Sequence, residues 1–254
     1  LNKNDGIFLF NFRADRMRML TQRILERKEK DNIFLVTMTD YGKEYKCPIV
    51  FPPIKINTTL GKVISENGMT QVHIAETEKF AHATYFLNCG EEKPYKNEEQ
   101  ILIQSPKDVL TYDLAPKMSA EKIADTAIEQ IKKGTDFIFI NFANADMVGH
   151  TANVPAIIIA IEEVDKQLER VVTAVLEKGG VACVTADHGN AEMNIDPKTG
   201  EKHTAHTTDL VPFILTDCDK KLRENGTLAN ITPTILEIYG IKKPEEMTGE
   251  SLID

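Results

Sequence analysis

The sequence is poor in cysteine, with only Cys47, Cys89, Cys183 and Cys218 in 254 residues and no CxxC pair among them. That scatter excludes a disulfide scaffold and a zinc ribbon. Long apolar runs are missing too. The longest, Val154 to Ile161, is eight residues including Pro155, far short of the roughly 20 that span a bilayer. Basic residues are in deficit, 30 Lys and Arg against 39 Asp and Glu, a formal net charge of −9. Such a chain is not expected to carry a nucleic-acid-binding face. No basic-then-apolar leader is visible, so the expected setting is reduced and cytoplasmic. The first residues are Leu-Asn-Lys rather than Met, and an apolar run follows at Ile7–Phe10. The chain therefore reads as the interior of a longer gene product.

What is present is unevenly spread. Residues 1–56 carry 11 basic and 7 acidic side chains, a net of +4, whereas residues 57–254 carry 19 and 32, a net of −13. The change coincides with Phe51-Pro-Pro-Ile-Lys-Ile-Asn57, where a proline pair favours extended chain. A domain boundary is expected there, giving domains at 1–56 and 57–254.

Apolar spacing supplies the elements. Ile7–Phe10 and Ile33–Val36 read as strands around a helix through Met17, Leu20, Ile24 and Leu25. Asn57 is expected to cap a short helix with Leu60, Val63 and Ile64, and Ser119 to cap one ending at Gly134. Phe137–Asn141 reads as a buried strand. Pro155 opens a long helix whose Ile157, Ile161, Val164, Leu168, Val171 and Val175 recur at helical spacing as far as Gly179. Val181–Ala186 and Val211–Thr216 are further strands, and a last helix runs from near Pro233 to Gly240. Helices alternating with short apolar strands imply an α/β fold with a mostly parallel sheet.

Polar clusters fall just beyond strand ends, where such sheets place function. Asp146 and His150 are one helical turn apart, so carboxylate and imidazole share a side. Asp187-His188 follows the Val181–Ala186 strand, and His206 precedes the Val211–Thr216 strand. Taken singly, each is also what a solvated turn or a hydrogen-bonded loop histidine looks like. Together they offer two carboxylates and three imidazoles without thiolate, a donor set suited to manganese, zinc or iron. Two such ions about 3.5–4 Å apart serve phosphoryl chemistry. Arg13 and Arg16, three apart at a helix start, suit bidentate capture of phosphate or carboxylate. Arg18 reads as solvated. Lys79, past the strand-like Val72-His-Ile-Ala, is a further cationic candidate.

Several longer segments carry a resemblance. Phe10-Asn-Phe-Arg-Ala-Asp-Arg16, His73-Ile-Ala-Glu-Thr-Glu-Lys-Phe-Ala-His82, Tyr112-Asp-Leu-Ala-Pro-Lys-Met118 and Asp146-Met-Val-Gly-His-Thr151 are four of them. Thr185-Ala-Asp-His-Gly-Asn-Ala191, His203-Thr-Ala-His-Thr-Thr208 and Met247-Thr-Gly-Glu-Ser-Leu252 complete the set. In that order, end to end, they resemble the carboxyl-terminal half of the cofactor-independent (2,3-bisphosphoglycerate-independent) phosphoglycerate mutases. The resemblance implies an alkaline-phosphatase-like, mostly parallel sheet flanked by helices over residues 57–254. Residues 1–56 would then be the end of an inserted α/β phosphotransferase domain that binds substrate.

It also implies interconversion of 3- and 2-phosphoglycerate in glycolysis and gluconeogenesis through a phosphoserine, by a monomeric enzyme. Two divalent ions, Mn2+ first among candidates, would be needed and 2,3-bisphosphoglycerate would not. Asp146, His150 and His206 would hold one ion, and Asp187 with His188 the second. Arg13 and Arg16 would grip substrate, and Lys79 would neutralise phosphoryl charge during transfer. The family's amino-terminal metal-binding aspartate and its nucleophilic serine have no counterpart here. The four serines, Ser65, Ser105, Ser119 and Ser251, lack that serine's context. The fragment alone is expected to be inactive. A metal-dependent phosphatase, another phosphomutase of the superfamily and a non-catalytic metal-binding module are the competing classes.

Overall fold

The computed structural model describes the whole chain except residues 13, 53, 55 and 217–219 and the side chains of residues 15 and 16. The chain divides into two compact units, Leu1–Ile56 and Asn57–Asp254.

The first unit is a single βαβ crossover. Strands β1 (Gly6–Leu9) and β2 (Phe34–Thr37) pair in parallel and are joined by helix α1 (Ala14–Asp31). Leu9, Ile24, Ile33, Leu35 and Tyr41 form its core. The Tyr41 hydroxyl sits 3.0 Å from the carbonyl of Leu9 and 2.5 Å from that of Asn11, which ties the following loop to the end of β1. Arg18 is not merely solvated: its Nε donates to the Tyr41 carbonyl at 3.0 Å, a bond internal to this unit.

The second unit is built on a parallel three-stranded sheet ordered β4-β3-β5, with β3 Gln71–Glu76, β4 Glu98–Ile103 and β5 Phe137–Asn141. Successive side chains of a strand point to opposite faces. Val72 and Ile74 therefore meet Ile123, Ala124, Ala127 and Ile131 of α3 (Ala120–Lys133) and Val171 of α5 (Val154–Glu177). On the other face Phe137 packs with Leu60, Val63 and Ile64 of α2 (Leu60–Glu66) and Leu236 of α6 (Ile231–Ile238). With helices on both faces, every residue of β3 is buried. A short helix α4 (Asn144–Gly149) follows β5, and β6 (Cys183–Thr185) pairs antiparallel with β7 (Phe213–Leu215). Among the described pairings, three are parallel and one is not.

Several local expectations are corrected. The cap of α2 is Thr59, whose Oγ1 accepts from the Lys62 amide at 3.2 Å. Asn57 instead offers its carbonyl to the Lys62 ammonium. Ser119 does occupy the N-cap position of α3, but its hydroxyl donates to the Gln104 carbonyl instead of accepting from a helix amide. The β6 and β7 strands are three residues each, shorter than their apolar runs.

Candidate metal centre

Four chain segments deliver the polar residues of the second unit to one place. Beyond the carboxyl end of β3, a 3-10 turn (Thr77–Lys79) carries Lys79, which is buried. Beyond β5, α4 carries Asp146, with His150 at its carboxyl end. Beyond β6 come Asp187 and His188. Because β7 runs antiparallel to β6, its start lies beside the end of β6, so the segment leading into β7 brings His206 alongside His188. The two imidazoles stack, with ring centroids 3.7 Å apart and planes at 19°.

Asp146 is the hub. Its Oδ2 takes the Lys79 ammonium at 2.5 Å, and its Oδ1 accepts from the side-chain amide of Asn190 at 2.7 Å. The same Oδ1 lies 3.2 Å from His150 Nε2 and 3.2 Å from His206 Nε2, while those two nitrogens are 3.3 Å apart. Burial pushes the Asp146 carboxyl up, but the hydrogen bonds from Lys79 and Asn190 outweigh it and hold the pKa below the ordinary carboxylate range.

This near-equilateral triangle tests whether a cation fits. His150 Nδ1 meets the Thr204 carbonyl at 2.7 Å, so that nitrogen carries the proton and Nε2 of the neutral ring presents a lone pair. An N–H on His206 can serve only one of the three close contacts at a time. A cation serves all three at once. For ligand bonds of about 2.0–2.1 Å, neighbouring donors of a tetrahedral site lie about 3.3 Å apart, which is the spacing found. Asp146, His188 and His206 also bring one donor atom each to within 4.8 Å of one another. Asp187 stands further out, more exposed, with Oδ2 3.5 Å from His188 Nε2.

Two features escaped sequence reading. His82, on a π-helical turn (His82–Phe86), has its pKa lowered by burial and by the nearby Lys79 charge, and it also feels Asp187, Asp146 and His188. Its position three residues after Lys79 was the available signal. Asn190 and Glu192, between the two histidine segments, tie the loops together. Arg13 and the side chain of Arg16 lie outside the described residues. Each of the four serine hydroxyls is engaged elsewhere. Ser65 donates to the Lys96 carbonyl, Ser105 to Glu76, Ser119 to the Gln104 carbonyl, and Ser251 accepts from the Ile253 amide.

A family model described as the metalloenzyme superfamily matches residues 46–243. The chain belongs to the metalloenzyme superfamily. Within it the chain is similar to the 2,3-bisphosphoglycerate-independent phosphoglycerate mutase 2 of Methanosarcina barkeri, 51% identical over 98% of this chain and 49% of that one. The corresponding mutase of Acetivibrio thermocellus is 50% identical over all of this chain and 51% of its own. A crystal structure of the Leishmania mexicana phosphoglycerate mutase at low cobalt concentration superposes with a TM-score of 0.79 at 28% identity, again over all of this chain and 51% of that one. The chain thus spans about half the length of the curated relatives it matches. The mostly parallel α/β arrangement read from the sequence agrees with the superfamily match.

Proposed function

We propose that the protein carrying this chain interconverts 3-phosphoglycerate and 2-phosphoglycerate through a phosphoserine, in the cytoplasm, as a monomer and as a step of glycolysis and gluconeogenesis. The observation that carries the reading is the Asp146–His150–His206 triangle, with Lys79 bonded to its carboxylate, in a chain about half identical to named mutases. On this reading residues 57–254 are the metal-binding domain and residues 1–56 the end of the substrate-binding phosphotransferase domain.

Asp146, His150 and His206 would hold one divalent ion and Asp187 with His188 a second, Mn2+ being first choice for a thiolate-free set. When bound, such ions neutralise phosphoryl charge and lower the pKa of a coordinated hydroxyl. The chain's own groups do the rest. Lys79, held by Asp146, places a fixed positive charge where phosphoryl oxygens gather. Arg13 and Arg16 would grip the phosphate or carboxylate of the glycerate in bidentate fashion. His150, locked by the Thr204 carbonyl, keeps one tautomer throughout. The nucleophilic serine would come from sequence outside these 254 residues, since Ser65, Ser105, Ser119 and Ser251 are bonded elsewhere.

The test is a phosphorus NMR assay of 3-phosphoglycerate with Mn2+, comparing these 254 residues alone with a polypeptide joining them to the remainder found in the relatives. Conversion by the joined protein and none by the 254 residues supports the reading. Release of inorganic phosphate in place of 2-phosphoglycerate assigns a phosphatase instead. Substituting Arg13 or Arg16 by alanine should cut turnover while leaving metal stoichiometry intact, and unchanged kinetics would return both to a solvated helix start.

A further inference from the structure

His188 and His206 stand at the two feet of an excursion that leaves the site at Gly189 and returns at Thr207. The excursion folds back as a hairpin. The Thr207 amide donates to the Gly189 carbonyl at 2.9 Å, the His203 amide to the Asn194 carbonyl at 3.0 Å, and Ile195 bridges to Lys202. Across its feet sits one carboxylate, that of Glu192. One oxygen, Oε2, accepts from the Asn190 amide at 2.8 Å, and the other, Oε1, accepts from the Thr207 hydroxyl. Asn190 continues the chain of bonds, its side-chain amide donating to both the Oδ1 and the carbonyl of Asp146 at 2.7 and 3.2 Å. One carboxylate is thereby linked to the neighbour of His206, to the loop after His188 and, through Asn190, to Asp146.

The backbone is shaped around this arrangement. A Cβ at Gly189 would overlap both the Thr207 hydroxyl and the Glu192 carboxylate, and one at Gly149 would come within 2.5 Å of Asn190 Oδ1. Glycine at both positions leaves room for the clamp to close. Glu192 itself contributes no donor atom to the Asp146, His188 and His206 group.

We propose that Glu192 is a positioning residue of the metal centre, whose carboxylate locks the two feet of the hairpin and so sets the spacing of His188, His206 and Asp146. This rests on the reading of the site as a metal centre and deepens it. Two acceptor oxygens are needed because two donors converge on the side chain. Glutamine keeps one acceptor and turns an amide N–H toward the other donor, so it retains half the clamp. Alanine keeps none. Partners that only orient ligands change metal affinity by about 10- to 100-fold when removed, and the variants should spread across that range.

The experiment uses the full chain and Mn2+ alone, with affinity read by calorimetry, and Co2+ as a spectroscopic probe of ligand geometry. E192Q should weaken Mn2+ binding by about 10-fold and E192A by about 100-fold, with a shifted Co2+ visible spectrum. T207V should resemble E192Q, T207S should restore wild-type affinity, and E192A/T207V should bind no more weakly than E192A. E201A, at the hairpin tip, should change nothing. In metal-free protein the Asn190 amide should exchange hydrogen faster in E192A than in wild type while the melting temperature holds, a combination that general destabilisation would not produce. Wild-type affinity and Co2+ spectra in both E192A and T207V overturn the clamp. No Mn2+ binding by wild type overturns the metal-centre reading itself, and the proposal falls with it.

Discussion

The second unit contains two clusters of histidine and carboxylate, and they are built on opposite plans. One lies inside the sheet. His73 is fully buried on β3, its ring 6.4 and 5.9 Å from those of Phe137 and Phe139. Beside it the Glu98 carboxylate receives the side-chain amides of Asn88 and Gln100 and the backbone amide of Tyr95. His73 Nε2 is 3.2 Å from Gln71 Oε1, and Gln71 is anchored on the Gly61 carbonyl at 2.7 Å. There the protein supplies the N–H donors that a buried carboxylate requires. The other cluster opens to solvent, with the His206 side chain 49% exposed. Its acceptors face one another with too few protons among them. A donor-filled cluster holds a fold together, whereas an acceptor-rich cluster at the end of a sheet is arranged for a cation.

The largest effect should come from emptying the open cluster. D146A removes the carboxylate shared by both imidazoles and Lys79, and Mn2+ affinity should fall by more than about 100-fold, beyond what partners that only orient ligands contribute. Equilibrium dialysis checks this. The melting temperature of the metal-free protein should fall as well, because the buried Lys79 ammonium loses its carboxylate partner. Retained Mn2+ affinity would erase the distinction between the two clusters.

Next in size is K79M. It removes a positive charge while sparing His150, His188 and His206, so in the protein carrying this chain kcat should drop by about 10²–10³. Metal stoichiometry, measured on the same samples, should hold. An unchanged kcat would make Lys79 only a counter-ion for Asp146.

The closed cluster should respond in the opposite sense. H73A leaves a cavity between Phe137 and Phe139 and strips Gln71 Oε1 of a neighbour, so unfolding free energy should fall by about 3 kcal/mol. Urea titration reads that loss, and calorimetry should show Mn2+ affinity within error of wild type. A stable variant with weakened metal binding would reverse the assignment of roles.

How much of this was legible depended on where apolar residues point. Phe137–Ile140 is a continuous apolar run and forms β5 together with Asn141, and the i, i+3, i+4 spacing after Pro155 became α5. Strand β4 was missed. Its Glu98 and Gln100 share the inner face with Gln71 and His73, so half of its inward positions look like surface. At the site, Asp146 and His150 were legible because one helical turn separates them, and Asp187-His188 because they follow an apolar run. The approach of His206 to His150, 56 residues apart, follows from the antiparallel turn of β7, and no local pattern encodes it. Likewise Lys79 and Asp146, 67 residues apart, meet because β3 and β5 are parallel neighbours whose carboxyl ends coincide. Glu192 left no signal, since a glutamate in a polar loop is ordinarily solvated.

The smallest predicted effect is also the one that separates the clusters without touching the metal. Burial lowers the His73 pKa below its ordinary 6.5, although the neighbouring Glu98 charge pulls it back up. Its imidazole is therefore neutral in the folded protein at pH values where the unfolded chain already binds a proton. Unfolded chains then hold more protons, so stability must fall as pH drops from about 6.5 toward the folded-state value, by at most about 1.4 kcal/mol per pH unit. Glu76 works in the other sense, because burial raises its pKa and protonation favours the fold. Its ordinary value is 4.5, and the comparison of variants cancels it. In urea unfolding between pH 7.5 and 5.5, wild type should lose stability while H73Q, which cannot titrate, loses less. The difference between the two curves should persist in saturating Mn2+, since His73 sits within the sheet rather than in the open cluster. Parallel curves for wild type and H73Q would show that the closed cluster does not respond to protons, and the contrast with the open one would then rest on metal binding alone.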